Sequence, residues 1–168
     1  MKNEFTLTIY SEDQLRLITK LSSMFIRKQI EILSLNISLC EIDKMYRHTI
    51  VVNETLDTVS NLALQIEKVI EVFKCYFSPN DEIVSRQITL FKILTMVFMT
   101  DSKMENLLRE SDLKIVEVQK EYTILEVTGT DEEILNLTEK LNQIGLIEFI
   151  KSSRIALMKS SKGFCVEN

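Results

Sequence analysis

The chain repeats one pattern of predicted elements: strand, helix, strand, strand, helix, strand. The first copy covers residues 5–77 and the second covers 87–158, with a short polar segment at 78–81 that holds the only proline. A unit with this order folds as an antiparallel four-stranded sheet that carries both helices on one face. The duplication therefore predicts an α+β protein with two domains, residues 1–78 and 79–160, followed by a flexible tail at 161–168.

The first copy shows both hydrophobic periodicities clearly. Phe5, Leu7 and Ile9 alternate with threonines, which is typical of a half-buried strand. Ser11 and Gln14 have the spacing of a helix capping box, and apolar residues at helical spacing follow them. The remaining predicted elements are a strand at 33–39, its hairpin partner from 46 to 52, a helix around 59–70 and a strand at 72–77.

The second copy follows the same plan. Ser102 with Glu105, and Thr130 with Glu133, have capping-box spacing at two predicted helix starts. Gly145 suits the left-handed position after the second helix, and Met96–Met99 is predicted to be a core segment. Predicted strands cover 88–94, 114–118, 122–127, 146–150 and 154–158. Both copies thus predict ferredoxin-like domains with antiparallel sheets.

One face of the first predicted sheet carries several small polar side chains: Thr6, Thr8, Ser34, Asn36 and Ser38. We expect this face to be too polar for a deep core, and we expect the strand edges to mediate self-association, because units this small often need an oligomer to cover them.

Composition excludes several classes of function. The chain has 168 residues, only 3 glycines and a net charge of −5, so it lacks glycine-rich nucleotide loops and a basic stripe for nucleic acid. Its three cysteines, Cys40, Cys75 and Cys165, have no C-x-x-C spacing that would predict a disulfide framework or zinc site. No apolar run approaches the ~20 residues of a membrane helix, and the first residues lack a signal-peptide core. We expect a cytoplasmic protein.

Few residues have the pattern of a catalytic site. His48 is the only histidine, and it has no serine or cysteine at a recognisable spacing, so a half-buried strand residue is favoured over a catalyst or metal ligand. The acidic run Asp131-Glu132-Glu133 lies at a predicted helix start, where the helix dipole favours carboxylates. The sequence therefore predicts neither a catalytic residue nor a metal site nor a cofactor in this chain.

The helix-start turn, residues 10–16, is the one segment with the shape of a binding site. Free backbone N–H groups at a helix start can hold a carboxylate or phosphate. Across a dimer edge, the strand-start segment, residues 29–32, could close such a pocket. A plain capped turn explains the same residues, and the residue pattern by itself favours that reading.

Beyond single motifs, a series of segments shares its order and spacing with one known family. They are residues 10–18, 25–38, 88–93, 114–118, 127–129, 144–148 and 153–157. Together they resemble the small, regulatory subunits of acetolactate synthase (acetohydroxyacid synthase), which carry an N-terminal ACT domain. The resemblance covers nearly the whole chain, although no single motif is specific.

The resemblance implies a partner and an effector. Family members bind and activate a large catalytic subunit that uses thiamine diphosphate, Mg²⁺ and FAD in branched-chain amino acid biosynthesis. They form homodimers through their ACT domains, and many are inhibited by valine or a related amino acid at that dimer interface. The implied effector residues here lie in the helix-start turn and the strand-start segment: Asp13, Gln14, Leu15, Arg16, Leu17, Glu31 and Ile32.

This chain departs from the family at those positions. Asp13 and Glu31 stand where the family has asparagine, and Arg16 stands where it has a glycine that lets the ligand approach the backbone. The two acids would repel a ligand carboxylate, and the Arg16 guanidinium could pair with them in place of a ligand. The resemblance therefore predicts a subunit with weakened or lost valine feedback. The alternative is a stand-alone ACT-type amino acid sensor.

Overall fold

The computed structural model describes residues 1–12, 14–100 and 102–160, without the side chains of Gln14 and Ser102. The chain divides into two compact units. The first contains Met1–Val84 and the segment from Ile155 onward, and the second contains Ser85–Arg154. The division between the units falls at 84/85, six residues after the predicted boundary at 78/79. The last strand, which was predicted to belong to the second domain, groups with the first unit. The predicted tail, 161–168, lies outside the described residues.

The first unit has the predicted βαββαβ order. Its elements are β1 (Asn3–Ser11), α1 (Gln14–Lys28), β2 (Ile32–Leu39), β3 (Tyr46–Glu54), α2 (Leu56–Glu67) and β4 (Val72–Pro79). The sheet order is β2-β3-β1-β4, with antiparallel pairs throughout. Leu7, Ile9 and Ile50 project from the central strands onto fully buried helix residues such as Leu17 and Leu62. The strand alternation predicted for 5–9 is therefore confirmed.

The opposite face of this sheet is buried, contrary to our expectation. Thr6, Thr8 and Ser78 are at most 8% exposed. With Tyr76 they line a narrow cleft against Ile83 and the last strand, β9 (Ile155–Met158). Threonine side chains tolerate this contact because their methyl groups pack while their hydroxyls can bond to neighbours. Of the five small polar residues predicted on this face, Ser34, Asn36 and Ser38 lie on the edge strand β2 and are partly exposed.

The second unit repeats the plan with one additional short helix, α3 (Thr95–Thr100). A 3₁₀ turn (Asn80–Glu82) at the end of the first unit leads into β5 (Ile83–Leu94), whose first two residues still belong to the first unit. The elements that follow are α3, α4 (Ser102–Glu110), β6 (Lys114–Val118), β7 (Tyr122–Gly129), α5 (Asp131–Asn142) and β8 (Leu146–Lys151). The sheet order is β6-β7-β5-β8. Fully buried Phe91, Leu125, Met104 and Leu141 join the two layers. The predicted fold class, α+β with two ferredoxin-like units, is confirmed.

Two local predictions in the second unit have different outcomes. The prediction that Met96–Met99 is a core segment is only partly right: the segment lies in the short helix α3, Phe98 packs against the core, and Met96 and Met99 are each 72% exposed. The turn after α5 does contain a residue with positive φ, Gly145 at 139°, close to where the sequence placed it. A side chain there would strain the backbone.

Truncating a core residue of the second sheet tests this packing. We expect Leu125→Ala to lower the free energy of unfolding by about 2–5 kcal/mol, because Leu125 is fully buried and its removal leaves a cavity. Leu135→Ala, on the exposed side of α5, is the matched control and should change it by less than about 0.5 kcal/mol. Urea unfolding measures both; equal losses would contradict the assignment of the core.

Candidate functional site

The helix-start turn joins the end of β1 to the start of α1. Ser11 is the last residue of β1, and α1 begins at Gln14. The Ser11 hydroxyl lies 2.9 Å from Nε2 of His48, and both residues are fully buried. Asp13 and the side chain of Gln14 lie outside the described residues. The predicted capping box of Ser11 and Gln14 therefore stays a prediction.

The other implied effector residues face different environments. Leu15 is 77% exposed and Arg16 is exposed, whereas Leu17 is buried in the core. Only the backbone of Leu17 could therefore meet a ligand. At the far end of α1, Glu31 and Ile32 border a shallow apolar cleft with Phe25, Ile26 and Gln29. Glu31 is exposed and Ile32 is half-buried against the core.

The two halves of the implied pocket lie at opposite ends of one helix. The helix-start turn precedes α1 and the strand-start segment follows it, and α1 has 15 residues. At ~1.5 Å of rise per residue the two segments are roughly 20 Å apart along the helix axis. A single chain therefore cannot close a small ligand between them, and a pocket built from both needs a second copy.

Arg16 has an acidic neighbour that the sequence analysis missed. The Glu71 carboxylate accepts hydrogen bonds from Nζ of Lys20 at 2.6 and 2.7 Å. The Lys20 hydrogen bond is the main reason that the pKa of Glu71 is lowered, and the nearby Arg16 charge adds to it. Among the described residues no ion pair joins Arg16 to Glu31. Arg16 and Glu71 are more than 50 positions apart in the sequence, and no local pattern connects them. The sequence alone could therefore not predict that they lie close together.

The Ser11–His48 pair has the composition of a catalytic dyad but not its properties. No serine stands at a recognisable sequence spacing from His48, but the β1–β3 pairing brings Ser11 beside it. His48 was also expected to be half-buried and is fully buried. Burial lowers the pKa of His48 to about 4, so the ring is neutral at pH 7. A serine nucleophile needs access to substrate and an oriented base. Here the hydroxyl is inaccessible, and within the described residues Nδ1 of His48 has no hydrogen-bond partner.

A second polar cluster lies at the start of α5. Asp131 accepts hydrogen bonds from Arg154 (2.8 Å), Lys151 (2.7 Å) and Gln87 (3.2 Å), and Arg154 is buried. Burial alone would raise the pKa of Asp131, but the contacts with Lys151 and Arg154 outweigh it and lower that pKa. Thr130 and Glu133 form the predicted capping box just beside it. Through these contacts Asp131 and Glu133, two residues of the acidic run, stabilise the start of α5.

Other site classes receive little support from the described part of the chain. No group of three His, Cys, Asp or Glu residues in it is arranged to hold a metal ion. Cys40 and Cys75 are free thiols. Burial raises the pKa of Cys75 to about 12, so this thiol stays protonated at neutral pH. None of the helices in these ranges is long and apolar enough to cross a membrane.

Comparisons with known proteins agree over almost the whole chain. A family model described as the small subunit of acetolactate synthase matches residues 86–160. The acetolactate synthase small subunit of Mycolicibacterium smegmatis is 30% identical over 160 residues, which cover 94% of this chain and 92% of that protein. The Bacillus subtilis protein of that name is 24% identical over 163 residues, covering 96% and 93%. The crystal structure of the small subunit from Thermotoga maritima has a TM-score of 0.80 at 21% identity, and it covers 94% of this chain and 98% of its own.

The tandem βαββαβ units define a two-domain protein with ferredoxin-like folds. With a 30% identical relative that covers nearly its full length, the chain belongs to the family of acetolactate synthase small subunits. The family predicted from the sequence segments is thereby confirmed.

The buried histidine predicts a specific pH dependence of stability. The folded-state pKa of about 4 lies below the unfolded value of ~6.5, so the unfolded chain binds a proton first as the pH falls. We expect the free energy of unfolding to contain the full stabilising contribution of neutral, buried His48 above pH ~6.5. That contribution should fall by up to about 3 kcal/mol as the pH decreases to ~4. His48→Gln, which cannot titrate, should show a shallower decline in urea unfolding between these pH values. Parallel curves for the two proteins would contradict this.

The cluster at the start of α5 gives a second stability prediction. Asp131→Asn should lower the free energy of unfolding by about 1–3 kcal/mol, because it removes the Asp131 charge that faces the buried Arg154 guanidinium. Glu132→Gln removes an exposed charge from the same helical turn and is the control, expected to change it little. Urea unfolding at pH 7 compares the two variants, and equal effects would show that Asp131 is not anchoring Arg154.

Proposed function

We propose that this chain is the regulatory, non-catalytic subunit of an acetolactate synthase. It binds the large catalytic subunit, raises its activity and takes part in branched-chain amino acid biosynthesis. The observation that carries this proposal is family membership over 94% of the chain. The thiamine diphosphate, Mg²⁺ and FAD implied by the resemblance would belong to the catalytic partner, and this chain would supply none of the reacting groups.

The proposal includes a homodimer through the first unit. The helix-start turn and the strand-start segment lie at opposite ends of α1, so an effector pocket built from both must draw them from two chains. β2 is an edge strand, and its Leu33, Leu35 and Leu39 are 45–68% exposed. Pairing this edge with that of a second copy would cover those leucines and satisfy the free backbone groups of the strand.

The same pocket would bind valine weakly. Arg16 replaces a glycine of the family pattern, and an exposed arginine side chain there occupies space next to the backbone that the ligand would need. Glu31 adds a negative charge on the other wall, where it opposes the ligand carboxylate. We therefore propose a subunit that activates its partner with little valine feedback, and a cytoplasmic location in keeping with the free Cys40 and Cys75 thiols.

A stand-alone amino acid sensor remains the second candidate from the sequence. The comparisons do not favour it, since the curated relatives matched over most of the chain are named as enzyme subunits.

Reconstitution with a catalytic large subunit from the same source tests the main proposal. We expect the two chains to co-elute in size-exclusion chromatography and acetolactate formation to increase at least several-fold on mixing. The chain alone should form no acetolactate. Lack of both co-elution and activation, or turnover by the isolated chain, would contradict the proposal.

Isothermal titration calorimetry tests the loss of feedback. Wild-type protein should bind valine no more tightly than millimolar. The double variant Arg16→Gly/Glu31→Asn should bind it at least tenfold more tightly, because it restores two of the three family residues, although Asp13 stays. Arg27→Gly, in the last turn of the same helix, controls for the effect of a glycine in α1. Micromolar binding by the wild type would overturn this part of the proposal.

A further inference from the structure

The two units differ at one equivalent position next to a helix start. In the first unit, Glu54 is the last residue of β3 and precedes Thr55, the cap of α2; its side chain is 11% exposed and binds Nζ of Lys2 at 2.6 Å. In the second unit, Gly129 ends β7 and precedes Thr130, the cap of α5. Both residues lie on the helix-covered side of their sheets, as the buried Val52 and Val127 two positions earlier show.

Gly129 lies on the wall of a cleft in the second unit. A Cβ atom added at Gly129 would lie 3.1 Å from the Glu133 carboxylate and 3.6 Å from Ile134, which line the same cleft, so a larger residue would crowd this wall. The β7–α5 cleft has a volume of about 380 Å³ and lies between the end of α4, the end of β7 and one face of α5. This volume falls in the range of about 300–1,000 Å³ that is usual for small-molecule sites.

The lining of the cleft combines an apolar floor with charges of both signs. Val127, Ile134 and Leu137 form the buried floor. Exposed Lys140 and Arg86 supply positive charge, and Glu110 and Asp112 supply negative charge. Within the described residues, neither Lys140 nor the two acids form an ion pair, and Glu133 is already engaged in the capping box. Three of the charges are therefore available to a ligand.

This arrangement selects one chemical class of ligand. A purely anionic molecule would be repelled by Glu110 and Asp112, and a purely cationic one by Lys140 and Arg86. A molecule that carries both charges and an apolar group can place its carboxylate near the basic side chains, its ammonium group near the acidic ones and its apolar group on the floor. We propose that the β7–α5 cleft binds a small zwitterion with an aliphatic side chain, of the α-amino acid class, independently of the helix-start turn.

Titration of ¹⁵N-labelled full-length protein with L-leucine, followed by NMR and calorimetry, tests the proposal. We expect saturable shifts in residues 110–112 and 127–140. The two matched probes are 4-methylpentanoate, which lacks the ammonium group, and 3-methylbutylamine, which lacks the carboxylate. Each should bind at least tenfold more weakly than leucine.

Variants locate the site. Lys140→Gln and Asp112→Asn should each weaken leucine binding at least tenfold, whereas Lys120→Gln, in the exposed turn between β6 and β7, should leave it unchanged. No saturable binding at 10 mM, equal binding of all three probes, or shifts confined to residues 10–16 and 29–32 would each overturn the proposal. Because the measurement uses this chain alone, its outcome is distinct from activation of a catalytic subunit.

Discussion

Burial of the apolar side of each sheet beneath two helices is the interaction on which the rest of the structure depends. In the first unit this contact places Leu7, Ile9 and Ile50 against Leu17 and Leu62, and all five are essentially inaccessible to water. The second unit makes the same contact with different residues. Because the core fixes α1 and α2 on one face, the turns that enter those helices are held by rigid elements. Candidate binding segments therefore lie at helix ends rather than on long loops.

The length of α1 then decides what one chain can do by itself. It separates the helix-start turn from the strand-start segment, so that the two parts of the implied effector pocket cannot meet within a protomer. The proposed effector pocket therefore requires two copies of the chain. If a ligand is held by both copies, its binding also stabilises their contact.

The two units share one fold but differ in the residues at its surface. Both units place a threonine cap before a 12-residue helix, and in both the cap accepts a hydrogen bond from the third helical residue. Just before the cap, the first unit carries Glu54, which pairs with Lys2, and the second carries Gly129, next to which the Glu133 side chain comes close. Equivalent positions of the two sheets can therefore serve different purposes without disturbing the core, since the residue lies at the rim of the packing.

The secondary structure elements and their order could be predicted from the sequence, because strand alternation, helical spacing and capping pairs depend on residues a few positions apart. The two βαββαβ units, the Thr130–Glu133 capping box and the family followed from such patterns. Tertiary structure alone decided the contacts between distant positions: Ser11 with His48, Arg16 near Glu71, and Asp131 with Arg154. It also decided that β9 covers Thr6 and Thr8, which their polarity had placed at the surface. Burial of a polar side chain depends on which remote segment packs on it, and no local periodicity encodes that choice.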